Sequence, residues 1–207
     1  MKPNYALEMD KVLADIRAQG RMPRLLLHVC CAPCSSAVLC ELAKDFHVTV
    51  YFDNPNMDTQ AEYEKRAAEA RRLVTELALP MPMEVADWDA PAWREAVAGT
   101  EDAPEGGARC ARCFALRLSR SAAYARAHAF DWFTTTLTVS PRKDAALLND
   151  LGQEAAAAHG VPFLPSDFKK RDGYLNSIRR SQEHHLYRQD YCGCVYSRRA
   201  RDARQKT

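Results

Sequence analysis

The sequence predicts an α/β fold, a Rossmann-like parallel sheet flanked by helices in a single domain, and three observations carry that expectation. Short apolar or β-branched runs at residues 25–29, 47–52, 83–85, 131–137 and 161–164 alternate with longer helical patterns. The first run breaks into a loop and then a helix. A chain of 207 residues with 47% hydrophobic content suits one globular core and leaves little room for a second large domain.

Taken in order, residues 4–19 place Leu7, Val12, Leu13 and Ile16 at helical spacing, and Gly20 supplies a stop. This reads as an added amino-terminal helix, an extension over residues 1–22. Leu25-Leu26-Leu27-His28-Val29 reads as a buried strand that Pro33 stops, with Ser35 or Ser36 capping the next helix. The second strand ends in Asp53-Asn54-Pro55-Asn56, a turn-rich loop. Residues 59–79 form an exposed amphipathic helix whose Tyr63 either faces a site or packs. After a short strand at 83–85, Trp88 and Trp93 are read as core anchors of a small helix through Ala98. A long Ala-rich helix reaches to about His128 and carries Cys110 and Cys113 on one face. The strand at 131–137 ends at Ser140-Pro141-Arg142-Lys143, a helix follows from Ala145 to about His159, and a strand is expected at 161–164. Lys169-Lys170-Arg171-Asp172-Gly173-Tyr174 opens a mixed-charge helix, and a polar loop returns at 187–197.

The eight cysteines are the chemistry-bearing feature. They group as Cys30, Cys31 and Cys34, then Cys40, then Cys110 with Cys113, then Cys192 with Cys194. No apolar stretch approaches the roughly 20 residues that span a bilayer, and the first residues form no secretory core, so a cytoplasmic protein without a membrane partner is expected. In a reducing compartment such clustering argues for metal binding or redox work over a disulfide framework. The first thiols sit at a strand's carboxyl end beside a helix amino terminus, where the helix dipole favours thiolate.

Residues 168–207 hold eleven Lys or Arg against four Asp or Glu, whereas the rest of the chain is net acidic. A basic end on an acidic body suggests an anionic partner, nucleic acid first, or a solvated terminal helix.

Three chemistries compete on the residues alone. Zinc needs four ligands, and Cys30, Cys31, Cys34, Cys110, Cys113, Cys192 and Cys194 exceed that by three, which suits a polynuclear iron–sulfur centre with thiolates to spare. A thioredoxin-like dithiol exchange through Cys31 and Cys34 leaves the other pairs unexplained. An ATP-using enzyme would place phosphate in the first loop, but that loop lacks glycine.

Five motifs carry a family resemblance. His28-Val29-Cys30-Cys31-Ala32-Pro33-Cys34, Asn54-Pro55-Asn56, Arg109-Cys110-Ala111-Arg112-Cys113, Thr134-Thr135-Thr136-Leu137 with Ser140-Pro141-Arg142-Lys143, and Tyr187-Arg188-Gln189-Asp190-Tyr191-Cys192-Gly193-Cys194 resemble the QueH-type epoxyqueuosine reductases. The match spans about residues 25–197. It implies a HUP-like α/β catalytic domain over 23–197, with a basic tail at 198–207 outside it. It also implies a [4Fe-4S] cluster, a second single metal ion expected to be iron, and reduction of epoxyqueuosine at the wobble position of tRNA, with an external electron donor. Some family members carry Asp where this chain has Cys34, which leaves Cys34 as ligand or bystander.

The expected split is Cys31, Cys110, Cys113 and Cys192 for the cluster and Cys30, Cys34 and Cys194 for the second metal, with Cys40 in the core. Asp190, Tyr187 and Tyr191 are the candidate proton donors. Arg142, Lys143, Lys169, Lys170, Arg171 and Arg188 are candidate phosphate contacts, and Tyr187 or Tyr191 is a candidate stacking partner for an extruded base. His28 is either a packed core histidine or a support behind the metal ligands. A zinc-stabilised RNA-binding module is the alternative.

Overall fold

The structure is a computed structural model that describes residues 3–205, so residues 1–2 of the expected extension and 206–207 of the expected tail lie outside the described residues. A four-stranded, all-parallel sheet runs in the order β3-β2-β1-β4, with β1 at Arg24–His28, β2 at His47–Phe52, β3 at Met83–Val85 and β4 at Trp132–Thr135. The central strand β1 is Leu-rich because both its faces are covered. Leu25 and Leu27 pack into one apolar cluster and Leu26 into another.

Helices α1 (Tyr5–Ala18), α2 (Ala32–Leu42) and α3 (Gln60–Glu76) share the first cluster with β1 and β2, through Met9, Leu13, Leu39 and Leu73 among others. Helices α5 (Ala108–Ala127) and α6 (Ala145–His159) cover the other face through Phe114, Leu118 and Leu148. The short α4 (Ala90–Val97) leans on α5, α7 (Gly173–Glu183) packs on α2, and α8 (Val195–Gln205) closes the described chain. The parallel sheet and its flanking helices agree with the fold expected from the alternation of elements.

Four local expectations need correction. The cap of α2 is Cys31, in extended backbone, and neither serine. Pro33 falls in the first turn, where its missing N–H costs nothing, and the Ser35 and Ser36 hydroxyls donate back to the Ala32 and Pro33 carbonyls at 2.9 Å each. β4 ends at Thr135, not Leu137, because the Thr135 hydroxyl accepts from the Leu137 N–H at 3.1 Å and tightens Thr136–Val139 into a 3-10 turn. The strand expected at 161–164 is reduced to one parallel bridge, Phe133 with Phe163. Pro162 and Pro165 lack donors on either side of it, and the Leu164 carbonyl accepts from the Thr134 hydroxyl. The helix expected to open at Lys169 starts at Gly173, because Arg171 and Asp172 take left-handed backbone. Tyr63 packs: its hydroxyl donates to the Ala86 carbonyl at 2.5 Å. α3 is amphipathic, with Tyr63, Arg66, Ala67, Ala70, Leu73 and Val74 forming a buried face.

Candidate active site

The parallel topology brings three loops to one edge of the sheet. β1 feeds Cys30 and Cys31, β2 feeds Asp53–Asn56, and β4 feeds Thr136. Side chains fasten these loops together. Asn54 donates to the Val29 carbonyl at 2.9 Å, and the Cys30 N–H donates to the Thr136 hydroxyl at 3.2 Å, which lies 3.5 Å from Cys30 Sγ. His28 is fully buried beneath them, with Nε2 donating to the Asp53 carbonyl at 3.1 Å and Nδ1 accepting from the Thr135 hydroxyl at 2.8 Å. Burial and the nearby Arg117 cation push its pKa down to about 3, so the ring is neutral. His28 is thus a core histidine that braces the loops.

A cavity of about 360 Å³ opens at this edge. Its wall includes Cys30 and Cys34 from the first motif, Cys110 and Cys113 from α5, and Cys192 and Cys194 from the last loop. Cys31 lies behind the wall, and the sulfurs of Cys30, Cys31 and Cys34 are all within 4.8 Å of one another. The Cys30–Cys31 separation is 3.8 Å and the Cys192–Cys194 separation 3.5 Å. Sulfurs about 2.3 Å from one tetrahedral ion lie about 3.8 Å apart, so both groups have the spacing of ligands to a single centre. Cys31 thus lies with Cys30 and Cys34 in one cluster of sulfurs. Cys40, half-buried on α2, is not part of the wall.

Protonation is uneven across the thiols. Donation from the Cys31 and Cys34 thiols, against the cost of burial and with help from Lys143 and Arg117, holds Cys30 well below the ordinary thiol value. Donation to Cys30 pushes Cys31 up to about 11, and donation to Cys30 and Cys31 holds Cys34 well above the ordinary thiol value. In the last loop the Cys194 thiol brings Cys192 down to about 5. Burial raises Cys110 and Cys113. The first motif and the last loop thus each favour one thiolate, at Cys30 and at Cys192, while the other thiols hold protons that metal binding would release.

The last loop is held by two contacts distant in sequence and one local one. The Gly193 carbonyl accepts from the Asp58 N–H at 2.9 Å, the Cys192 carbonyl from buried Arg66 at 3.2 Å, and the Cys194 sulfur from the Ser197 N–H at 3.4 Å. Gly193 takes φ +120°, a backbone that favours glycine.

Of the candidate proton donors, Asp190 and Tyr191 stand on the wall. Asp190 pairs with Arg201 at 2.5 Å, and the guanidiniums of Arg66 and Arg201 each lie 5.0 Å from the Tyr191 ring, whose hydroxyl is 3.2 Å from Asp58. Tyr187 is off the wall. Its hydroxyl donates to Glu62 at 3.2 Å and its ring lies 3.6 Å from the Lys65 ammonium. Of the candidate phosphate contacts, Arg142, Lys143 and Arg188 line the cavity. Lys169 pairs with Asp167, Arg171 with Asp10, and exposed Lys170 is not part of the wall.

Sequence reasoning gave no site role to Trp93, Arg117 or Gln189, all on the wall. Arg117 follows Cys113 by four residues on α5, so helical spacing was a usable signal for it. Asn56 Oδ1, Trp93 Nε1, Arg109 Nε, Arg117 Nε and Gln189 Oε1 are buried without a hydrogen-bond partner in the protein, and all five residues line this cavity. Unpaired buried polar atoms are costly, and their concentration on one wall marks it as built for a polar occupant.

Fold and site together define a class: a parallel α/β protein with a thiol-walled cavity at the carboxyl edge of its sheet, suited to hold metal. Comparison with known proteins narrows it. The model of the family described as epoxyqueuosine reductase QueH matches residues 25–200. Proteins named epoxyqueuosine reductase QueH are similar over most of their length. That from Streptococcus pyogenes serotype M1 is 38% identical over 205 residues, covering 95% of this chain and 80% of its own. That from Haemophilus influenzae is 39% identical over 178 residues, 85% of this chain and 72% of its own. That from Thermotoga maritima is 36% identical over 180 residues, 85% of this chain and 91% of its own. The chain belongs to the epoxyqueuosine reductase QueH family, and its class is oxidoreductase. Among the described residues no helix is long and apolar enough to cross a membrane.

Proposed function

We propose that this protein reduces epoxyqueuosine to queuosine at the wobble position of tRNA, using an iron–sulfur cluster and a neighbouring single iron held by Cys30, Cys31, Cys34, Cys110, Cys113, Cys192 and Cys194. The observation that carries the reading is the convergence of three thiol groups on one cavity from segments far apart in sequence. That number of thiols exceeds the four ligands of a structural zinc site. Burial of Cys31 at 1% exposure behind the wall disfavours an exchange dithiol, which needs an accessible attacking sulfur.

The overall reaction adds two electrons and two protons, breaks both epoxide C–O bonds, forms the alkene and releases water. When bound, the metals supply single-electron transfer and Lewis-acid polarisation of oxygen; an external reductant supplies the electrons. The chain's own residues orient and protonate. Arg142 and Arg188 at the wall neutralise phosphates beside the modified nucleotide, and the Tyr191 ring offers a stacking face for an extruded base. Asp190 and Tyr191 deliver protons from the same wall. Tyr187 serves packing, through Glu62 and Lys65.

Anaerobically prepared protein is expected to contain iron and sulfide with broad visible absorption. With a chemical reductant and tRNA containing epoxyqueuosine, the deoxygenated nucleoside should appear. Stoichiometric zinc without sulfide would instead establish a zinc-stabilised RNA-binding module.

A further inference from the structure

A second cavity, of about 260 Å³, adjoins the first, and Arg109 and Glu105 belong to the walls of both. No cysteine lines it. Its wall is completed by Pro104 and by Tyr196, Ser197, Arg199 and Ala200 from the first turns of α8, where the helix dipole favours an anion. Arg109 is 6% exposed, yet it makes no ion pair among the described residues. Its Nη1 donates to the Glu101 carbonyl at 2.7 Å and to the Ala103 carbonyl, its guanidinium lies 4.3 Å from the Tyr196 ring, and its Nε has no partner. Two carbonyls and a ring fix this cation without neutralising it. A buried charge left unpaired is costly, and a bound anion removes that cost. Arg199 is exposed and makes no ion pair or hydrogen bond among the described residues, so it is a second free cation on the same wall. Two carboxylates also stand there. That of Glu101 accepts from the Gly99 N–H at 3.0 Å, while Glu105 is exposed where the two cavities meet.

We propose that the second cavity is a subsite for the nucleotide that adjoins the modified one in the RNA strand, its phosphodiester taken by Arg109 and Arg199. The inference rests on the tRNA reading above and extends it by one nucleotide. An extruded nucleotide stays joined to its neighbours by a phosphodiester on each side, so a strand with its modified base in the first cavity leads a phosphate out past the wall. Arg109, common to both cavities, stands at that exit. Glu105 beside it repels a free phosphate but accepts from a ribose 2′-hydroxyl, which accompanies every phosphate of an RNA strand. The pairing of cation and carboxylate therefore suits a ribonucleotide over an inorganic anion.

The test measures binding of two probes to anaerobically prepared, full-length protein: the epoxyqueuosine nucleoside, and the RNA trinucleotide that carries it at the centre. Arg199→Ala removes one cation, Ala200→Glu adds an opposing charge on the same wall, and Arg199→Lys keeps the charge. Lys170→Ala, exposed and off both walls, loses the same charge elsewhere. Arg199→Ala and Ala200→Glu should each weaken the trinucleotide roughly tenfold, the worth of one charge-assisted contact, and leave the nucleoside unchanged. Arg199→Lys should recover most of the loss, and Lys170→Ala should match wild type with both probes. Unchanged trinucleotide binding in Arg199→Ala and Ala200→Glu, an equal loss with the nucleoside, or an equal loss in Lys170→Ala overturns the inference and leaves the proposed function standing. If wild type loaded with iron and sulfide yields no deoxygenated nucleoside from tRNA, both fall.

Discussion

The guanidinium of Arg66 on α3 donates to the carbonyl oxygen of Cys192 at 3.2 Å, across 126 positions of sequence. Arg66 is 2% exposed and its charge is met by Glu62 at 2.7 Å, one turn back on the same helix. A side chain anchored in the amino-terminal half thereby fixes the loop that completes the thiol wall.

Replacing Arg66 by Met removes that anchor and leaves Glu62 without its partner. Loss of one member of a buried pair costs about 3 kcal/mol. Urea denaturation should show that loss, and anaerobic protein should retain less iron. Glu62→Gln in the same chain should recover part of the stability, because the stranded carboxylate is gone, but not the iron.

Gly193→Ala should be nearly as damaging at the site. At φ +120° a Cβ is strained, and it would stand 3.2 Å from Asn56 Nδ2 and 3.3 Å from Met57 Cγ. A destabilisation of about 1–3 kcal/mol is expected. Faster alkylation of Cys192 and Cys194 in metal-free protein is the specific mark of a loosened loop; unchanged alkylation would refute this account.

Glu69 ties the segment before that loop to α3. It accepts from the Tyr187 N–H at 2.7 Å and pairs with Arg72 at 2.7 Å, and donation from Arg72 holds its carboxyl below the ordinary carboxylate value. A depressed carboxyl pKa contributes stability that is present above the ordinary value near 4.5 and lost as pH falls through the folded value. Glu69→Gln should therefore be less stable than wild type at pH 7, and the gap should close toward pH 3. Denaturation curves across that range are the check.

The proposed function makes the wall thiols essential and Cys40 a spectator. Cys113→Ser should lose iron and sulfide, whereas Cys40→Ser, off the wall on α2, should keep both and keep activity. Stripping the metal from wild type with a strong chelator should lower its melting temperature, since a ligand bound only by the folded state stabilises it. A matching fall in Cys113→Ser before chelation would tie the effect to this cavity.

Arg142 is exposed at the wall and makes no ion pair among the described residues, unlike Lys169 and Arg171. Arg142→Ala should weaken tRNA binding and reduce its logarithmic salt slope by about 1. Lys169→Ala and Arg171→Ala should leave the slope unchanged. Binding measured at several salt concentrations distinguishes them.

Much of this molecule is local and was therefore readable in the chain. Alternation of period fixes strand or helix within a few residues, which is why β2, β3 and α6 fall where the pattern places them. It does not fix hydrogen-bond supply, so the run at 161–164, flanked by Pro162 and Pro165, contributes a single bridge. Cysteine spacing singled out seven thiols, and six of them line the cavity, because close pairs seldom arise by chance scatter.

The sequence by itself determined the α/β class, the thiol inventory and the family resemblance, because each depends on residue type and near-neighbour spacing. Only the tertiary structure decided that Cys110 and Cys113 share one wall with Cys30, Cys34, Cys192 and Cys194, that Tyr187 leaves the wall for Glu62, and that Trp93 and Arg117 carry buried nitrogens without a partner in the protein. Those outcomes depend on which carbonyl, carboxylate or sulfur long-range packing brings within about 3–4 Å. Sequence separation carries no information about that distance once the chain has crossed over the sheet.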